Sequence, residues 1–160
     1  MASTMRFEFI AQENVVYQDD VSMVVAPGES GVVGILPRHA PLMTVVVPGE
    51  VVVYKEGVDP RYFAVGGGFM EVRPDKVTLL ARSGEAAEDI DISRAEEARR
   101  RAEQFLIEDL SSPEMRSQLA EDRMRAMEQA LRRSKIRLQV AKRRRQRRLS
   151  GSPSRPDDEG

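Results

Sequence analysis

Glu88-Asp89-Ile90-Asp91-Ile92-Ser93-Arg94-Ala95 separates two different hydrophobic rhythms. Before it, apolar and polar residues alternate in short runs. After it, apolar residues recur every three or four positions among charged ones. A change of period from 2 to about 3.6 marks a passage from strands to helices, and so a domain boundary. Asp91 is placed to cap a helix beginning at Ile92, with Ile90 as the apolar residue outside the cap. Ser93-Arg94-Ala95-Glu96 offers a competing capping box, which leaves the first helical residue open by about two positions.

Working back from this join, Arg6-Phe7-Glu8-Phe9-Ile10-Ala11 has the alternation of a half-buried strand. Further runs occupy 15–17, 21–26, 31–36, 42–47, 50–55, 61–65, 69–73 and 76–81, divided by Pro27-Gly28, Pro37, Pro48-Gly49, Glu56-Gly57, Gly66-Gly67-Gly68 and Pro74-Asp75. Short strands at such regular intervals predict an antiparallel β-sandwich or barrel over residues 5–86. Gly66-Gly67-Gly68 is followed by strand-like Phe69-Met70-Glu71-Val72, whereas a phosphate cradle needs a helix start, so a tight turn or bulge is expected there. His39 is the one histidine, with no second ligand or nucleophile nearby, and reads as structural or interfacial. Leu36-Pro37-Arg38-His39-Ala40-Pro41-Leu42 reads as a rigid exposed loop, because its two prolines fix φ and restrict their neighbours.

Working forward, Ala95, Ala98, Ala102, Phe105 and Leu106 share a face of a first helix. Ser112 and Pro113 read as cap and first residue of a second, whose apolar face takes Met115, Leu119, Met127, Leu131, Leu138 and Ala141. Residues 90–148 are thus expected to form a two-helix hairpin ending in a basic extension, and 149–160 a disordered tail. The fold class is β plus α. Arg94 and Arg101 lie near one face of the first helix, and Arg133 and Arg137 one turn apart on the second. They either converge on one polyanion, which guanidinium forks suit, or form a solvated charged face.

Charge is unevenly spread. Residues 1–85 hold seven Lys and Arg against eleven Asp and Glu, while 129–148 hold ten Lys and Arg and no acid. The basic end should meet something acidic: nucleic acid, lipid headgroups, nucleotide phosphates or a protein surface. The absence of cysteine excludes a disulfide framework and a thiolate metal site. No apolar run approaches the length needed to span a bilayer, and the first residues lack the pattern of a secretion signal, so cytoplasm is the default expectation. No metal-ligand cluster and no nucleophile–base pair stands out.

Gly34-Ile35-Leu36-Pro37-x-His39-Ala40-Pro41-Leu42 resembles the signature loop of the epsilon subunit of bacterial F-type ATP synthases. Tyr17-Gln18-Asp19-Asp20-Val21 and Val65-Gly66-Gly67-Gly68-Phe69-Met70-Glu71-Val72 fit the same family in order and spacing, and the resemblance covers about residues 5–138. It implies a sandwich of about ten strands followed by a helical hairpin. It implies a non-catalytic rotor-stalk subunit of a proton-translocating synthase, peripheral on the cytoplasmic face of the bacterial plasma membrane. Its docking loop, Pro37, Arg38, His39, Ala40 and Pro41, would meet the gamma subunit and the ring of c subunits. The hairpin would inhibit ATP hydrolysis when extended, through Arg123, Arg125, Arg132 and Arg133 against the alpha and beta catalytic subunits. Ile90-Asp91-x-x-Arg94-Ala95 is similar to the motif of those epsilon subunits that hold ATP in the folded hairpin. Carried over, Glu85, Ile90, Asp91, Arg94 and Ala95 would surround adenine and ribose, with Arg101, Arg133 and Arg137 on the phosphates. No cofactor is required, and ATP would be a regulatory ligand. Arg38 stands where the family usually has Gly, Val32 where it often has an acid, and the basic run after Val140 passes the family's usual end. A nucleic-acid-binding module built on that run is the alternative; the acidic first half, the few aromatics and the lack of a reading motif weigh against it.

Overall fold

Burial alternates without a break along β1 (Met5–Ala11), so that Met5, Phe7, Phe9 and Ala11 face inward. β1 lies between β2 (Asn14–Val21), which it pairs antiparallel, and β7 (Lys76–Ala81), which it pairs in parallel. The structure, a computed structural model, describes residues 3–110 and 118–150, and for 109, 110 and 118–120 the backbone alone. With β3 (Met23–Gly28), β4 (Gly31–Ile35), β5 (Leu42–Lys55) and β6 (Val58–Val72), the strands run in the order β2-β1-β7-β6-β5-β3-β4, and β8 (Gly84–Ala86) pairs with β6.

Eight strands stand where about ten were expected, because two expected breaks are bends. β5 continues through Pro48-Gly49 and β6 through Gly66-Gly67-Gly68, giving strands of 14 and 15 residues whose register holds from Leu42↔Val72 to Val53↔Arg61. At the bend β6 changes partner: Phe63, Ala64 and Val65 pair with β8, and Gly68 to Val72 pair with β7. One sheet thus folds over itself into two layers, with corners made by strands that bend from one layer into the other. The inward positions of β6 are Phe63 and Val65 before the glycines, and Met70 and Val72 after them. The parity of the inward face changes, and the glycines absorb the change. Gly67 has φ +87°, and a Cβ on Gly68 would lie 2.0 Å from the Leu80 carbonyl oxygen.

Both layers supply the core. Phe63 meets the Phe9 ring edge-on at 5.7 Å and the Tyr17 ring at 5.2 Å. Around them Val21, Val24, Ile35, Val46, Val51, Met70 and Leu79 are fully buried. The outer face of β5 and β6 is apolar too, since Val52, Tyr62 and Ala64 form a second cluster with Ala87 and Ile90.

That face receives the helices. α1 (Ile92–Leu110) starts where the sequence reading put it: Asp91 Oδ1 accepts from the Arg94 N–H at 3.0 Å, and the Ala95 N–H bonds the Asp91 carbonyl. The competing cap at Ser93 is not used. α2 (Gln118–Leu149) is sandwiched between α1 and the sheet, so it buries two stripes. Ile136, Val140 and Ala141 lie on Val52, Tyr62 and Ala64. Met127, Leu131, Ser134 and Leu138 share the neighbouring face, where Leu138 borders a groove with Arg99 of α1. The expected helix start at Ser112 and Pro113, the side chains of Met115 and Leu119, and the tail from 151 lie outside the described residues.

Candidate functional site

Glu85 is carried by β8, the shortest strand. Ala86 points into the core and a Cβ on Gly84 would strike the Phe9 ring, so strand alternation turns Glu85 outward, toward α2. There its carboxylate takes both arms of Arg137: Nε donates to Oε2 at 2.7 Å and Nη2 to Oε1 at 3.0 Å. The fork is half-buried and ties the sandwich directly to the hairpin.

Beside the fork opens a cleft of about 380 Å³, walled by Ala64 and Val65 of β6, Ala98 of α1, and Ala130 and Ile136 of α2. Arg133, one turn before Arg137, lines it without an ion-pair partner among the described residues. Ser134, also in the lining, donates its hydroxyl to the Ala130 carbonyl at 2.8 Å and is thereby satisfied. The cleft therefore offers a free guanidinium, a carboxylate–guanidinium fork that a ligand can share, and small apolar walls. Such a site can hold an anionic group at one end and an amine donor at the other. It contains no nucleophile–base pair, and among the described residues no cluster of three metal-ligating side chains occurs.

The other residues of the expected nucleotide set lie elsewhere. Asp91 is the helix cap, and Arg94, whose side chain is 84% exposed, turns back to it at 3.5 Å. Ile90 is buried in the outer cluster and Ala95 inside the hairpin, both as packing residues. Arg101 is exposed and its Nε donates to the Glu97 carbonyl at 3.5 Å. Of the four arginines Arg94, Arg101, Arg133 and Arg137, the last two line the cleft and the first two are outside its lining. Ala98 and Ser134 were not foreseen as lining residues. Helical spacing put Ala98 on the apolar face, but only the position of β8 under α2 makes that face a wall.

The loop expected to dock, residues 36–41, joins β4 to β5. The Arg38 N–H donates to the Pro74 carbonyl at 2.8 Å, the His39 N–H to the Leu36 carbonyl at 3.1 Å, and His39 Nδ1 to the Ala40 carbonyl at 2.8 Å. Arg38 has φ +67°, a conformation that glycine adopts without cost, which explains why the resemblance expects Gly there. Leu36, Leu42 and Met43 around the loop are exposed apolar residues. Arg123, Arg125, Arg132 and Arg133 are exposed on α2, with Arg125 3.9 Å from Glu121.

A family model described as the β-sandwich domain of the ATP synthase delta/epsilon chain matches residues 4–87. An ATP synthase epsilon chain of Herpetosiphon aurantiacus is 50% identical over 143 residues, which is 89% of this chain and 98% of the relative. This chain belongs to the ATP synthase epsilon chain family. Another epsilon chain, from Dehalococcoides mccartyi, is 45% identical over 141 residues, 88% of this chain and 94% of that one. Among solved structures, a chain of the Euglena gracilis mitochondrial ATP synthase, in an OSCP/F1/c-ring assembly, superposes with a TM-score of 0.67 at 20% identity. It covers 83% of this chain and 78% of its own, and at that identity the likeness is one of fold. A chain of the Tetrahymena thermophila central stalk and c-ring gives 0.51 at 12% identity, covering 87% and 97%. Within the epsilon family, then, the sandwich is the domain matched by the family model, and the alignment to the Herpetosiphon relative, over 89% of this chain, extends the likeness into the hairpin. None of these relatives favours a nucleic-acid-binding module. Among the described residues no helix is long and apolar enough to cross a membrane.

Proposed function

We propose that this epsilon-family chain is the non-catalytic rotor-stalk subunit of a proton-translocating ATP synthase, peripheral on the cytoplasmic face of the bacterial plasma membrane. Its sandwich binds the gamma subunit and, through Pro37, Arg38, His39, Ala40 and Pro41, the ring of c subunits. Its hairpin is the regulator. Docked on the sandwich it permits ATP hydrolysis; released, it carries Arg123, Arg125, Arg132 and Arg133 to the alpha and beta subunits and inhibits. ATP binds the docked form. The phosphates take Arg133 and Arg137, and the Glu85 carboxylate accepts a hydrogen bond from the adenine amino group. A ligand with affinity for only one conformation shifts the hairpin toward it.

The Glu85–Arg137 fork beside an Arg133 that has no ion-pair partner among the described residues is the observation that carries this reading, because it sets anion-binding and hydrogen-bonding groups across the surface that must separate for release. Calorimetric titration of the purified chain with ATP tests it, beside Arg133→Ala, Arg101→Ala and Glu85→Gln. Saturable one-to-one binding should be lost in Arg133→Ala and weakened in Glu85→Gln. The Arg101→Ala titration reports whether α1 swings this side chain to the phosphates. No heat at millimolar ATP would remove the nucleotide sensor and leave the stalk assignment, which co-purification with a gamma subunit tests separately.

A further inference from the structure

α2 continues for about two turns past the contact of Val140 and Ala141 with the sheet. The first residues of that extension are anchored: Arg143 forms an ion pair with Glu50 of β5, whose side chain is only 11% exposed. Beyond it, Arg144, Arg147 and Arg148 are spaced to share one helical face. They line a cleft of about 790 Å³ between the end of α2 and the turn joining β5 to β6. Tyr54, Pro60 and Arg61 form its opposite side.

The cleft is short of negative charge. Of its two carboxylates, Glu88 is ion-paired with Arg61, whose guanidinium also stacks 4.9 Å from the centre of the Tyr17 ring, and it feels the charge of Arg144 as well. Asp59 is a single carboxylate on an exposed rim. The side chains of Arg144, Arg147 and Arg148 have no hydrogen bond or ion pair among the described residues. Arg61, Arg144, Arg147 and Arg148 thus face only Asp59 and Glu88 across the cleft; like charges one turn apart repel, and an excess of positive charge at a concave surface attracts an anion. Guanidinium forks match phosphate oxygens in particular, and a cleft of this depth suits a compact ligand better than a flat polymer surface.

We propose that this cleft binds a phosphate-class anion, an oligophosphate or a phosphate headgroup, and that the bound anion pins the basic extension to the sandwich. None of its lining residues is shared with the cleft beside Glu85. The site exists only while α2 is docked, so occupancy stabilises the docked hairpin by mass action.

Tripolyphosphate titration of the full chain by calorimetry and by thermal shift provides the test, with vesicles of phosphatidylcholine alone or mixed with phosphatidylglycerol as the headgroup arm. The variant Arg144→Ala/Arg147→Ala/Arg148→Ala should weaken binding about a hundredfold or more, as expected for the loss of several charge-assisted hydrogen bonds. Arg133→Ala, which removes the phosphate contact proposed beside Glu85, should lose at most that contact and keep the binding that the first triple variant abolishes, whereas Arg123→Ala/Arg125→Ala/Arg132→Ala, which removes the same charge elsewhere on α2, should bind as the parent does. Binding of tripolyphosphate identifies a soluble ligand. Binding confined to phosphatidylglycerol vesicles identifies a headgroup, provided that it too is lost in the first triple variant. Equal weakening by both triple variants would reduce the effect to net charge and overturn the site, as would binding in neither arm. Binding that emerges only after Asp157→Asn/Asp158→Asn/Glu159→Gln would overturn it differently, by giving the cleft to the chain's own acidic end.

Discussion

Arg38 and the glycines show how single positions carry backbone geometry. A left-handed conformation at an L-residue costs about 1 kcal/mol or more, so Arg38→Gly should raise the unfolding free energy by up to about 1 kcal/mol in denaturant titration, despite glycine's larger unfolded-state entropy. A fall in stability would mean that the Arg38 side chain holds the loop. Gly68→Ala should be far more damaging, at about 3 kcal/mol or more, since its Cβ meets backbone at 2.0 Å from Leu80 and 2.7 Å from Ala81. Gly57→Ala is the control: it has φ +71° but open space, and should cost only about 1 kcal/mol. Glu88 sets a pH dependence. Burial opposes its ionisation, yet its own backbone N–H and the Arg61 guanidinium hold the carboxyl below its ordinary value of 4.5. A lowered folded pKa stabilises above the unfolded value and is lost as pH falls through the folded one. Stability should therefore drop on acidification below about 4.5, and Glu88→Gln should flatten part of that drop in thermal melts across pH.

α2 shows what a periodic pattern reveals and what it hides. Val140 is fully buried against the outer face of the sheet, so Val140→Asp would bury an unpaired carboxylate at a cost of about 3 kcal/mol or more, unless the helix lifts off. Lift-off is the cheaper outcome, because the sandwich keeps its own core. Hydrogen exchange should then speed up along α1 and α2 while β1, β6 and β7 stay protected; uniform loss of protection would mean that the two units fold as one. The helical pattern made Leu138 and Ala141 legible as apolar positions, and Asp91 as the cap. It missed Val140 and Ser134, because a helix covered on two sides buries more than the single stripe that a free-standing hairpin needs. β5 and β6 were legible as strand-forming runs but not as continuous strands, since Pro48-Gly49 and Gly66-Gly67-Gly68 look locally like terminators. For the cleft, Arg133 and Arg137 could be read from spacing. Their meeting with Glu85 could not, as it joins positions 52 residues apart through sheet pairing.

The whole molecule is built around one double-sided segment. Val51 and Phe63 are paired in register and face the core, while their neighbours Val52 and Tyr62, also paired, face the helices. Phe63→Ala should therefore destabilise everything, by about 3–5 kcal/mol in a single cooperative transition, unlike the local opening expected at Val140. The glycine corner in β6 has a further consequence for the protein's history. Because inward positions change parity across Gly66-Gly67-Gly68, this stretch works as a spacer whose length is itself information. Removing one residue would leave the first half of the strand in place and turn the second half over, exchanging Met70 and Val72 for Phe69 and Glu71 in the core. Drift by substitution is resisted here by sterics, and drift by insertion or deletion by the identity of every residue downstream. Descendants of this chain should therefore vary in length at Glu56-Gly57 and keep the corner's count.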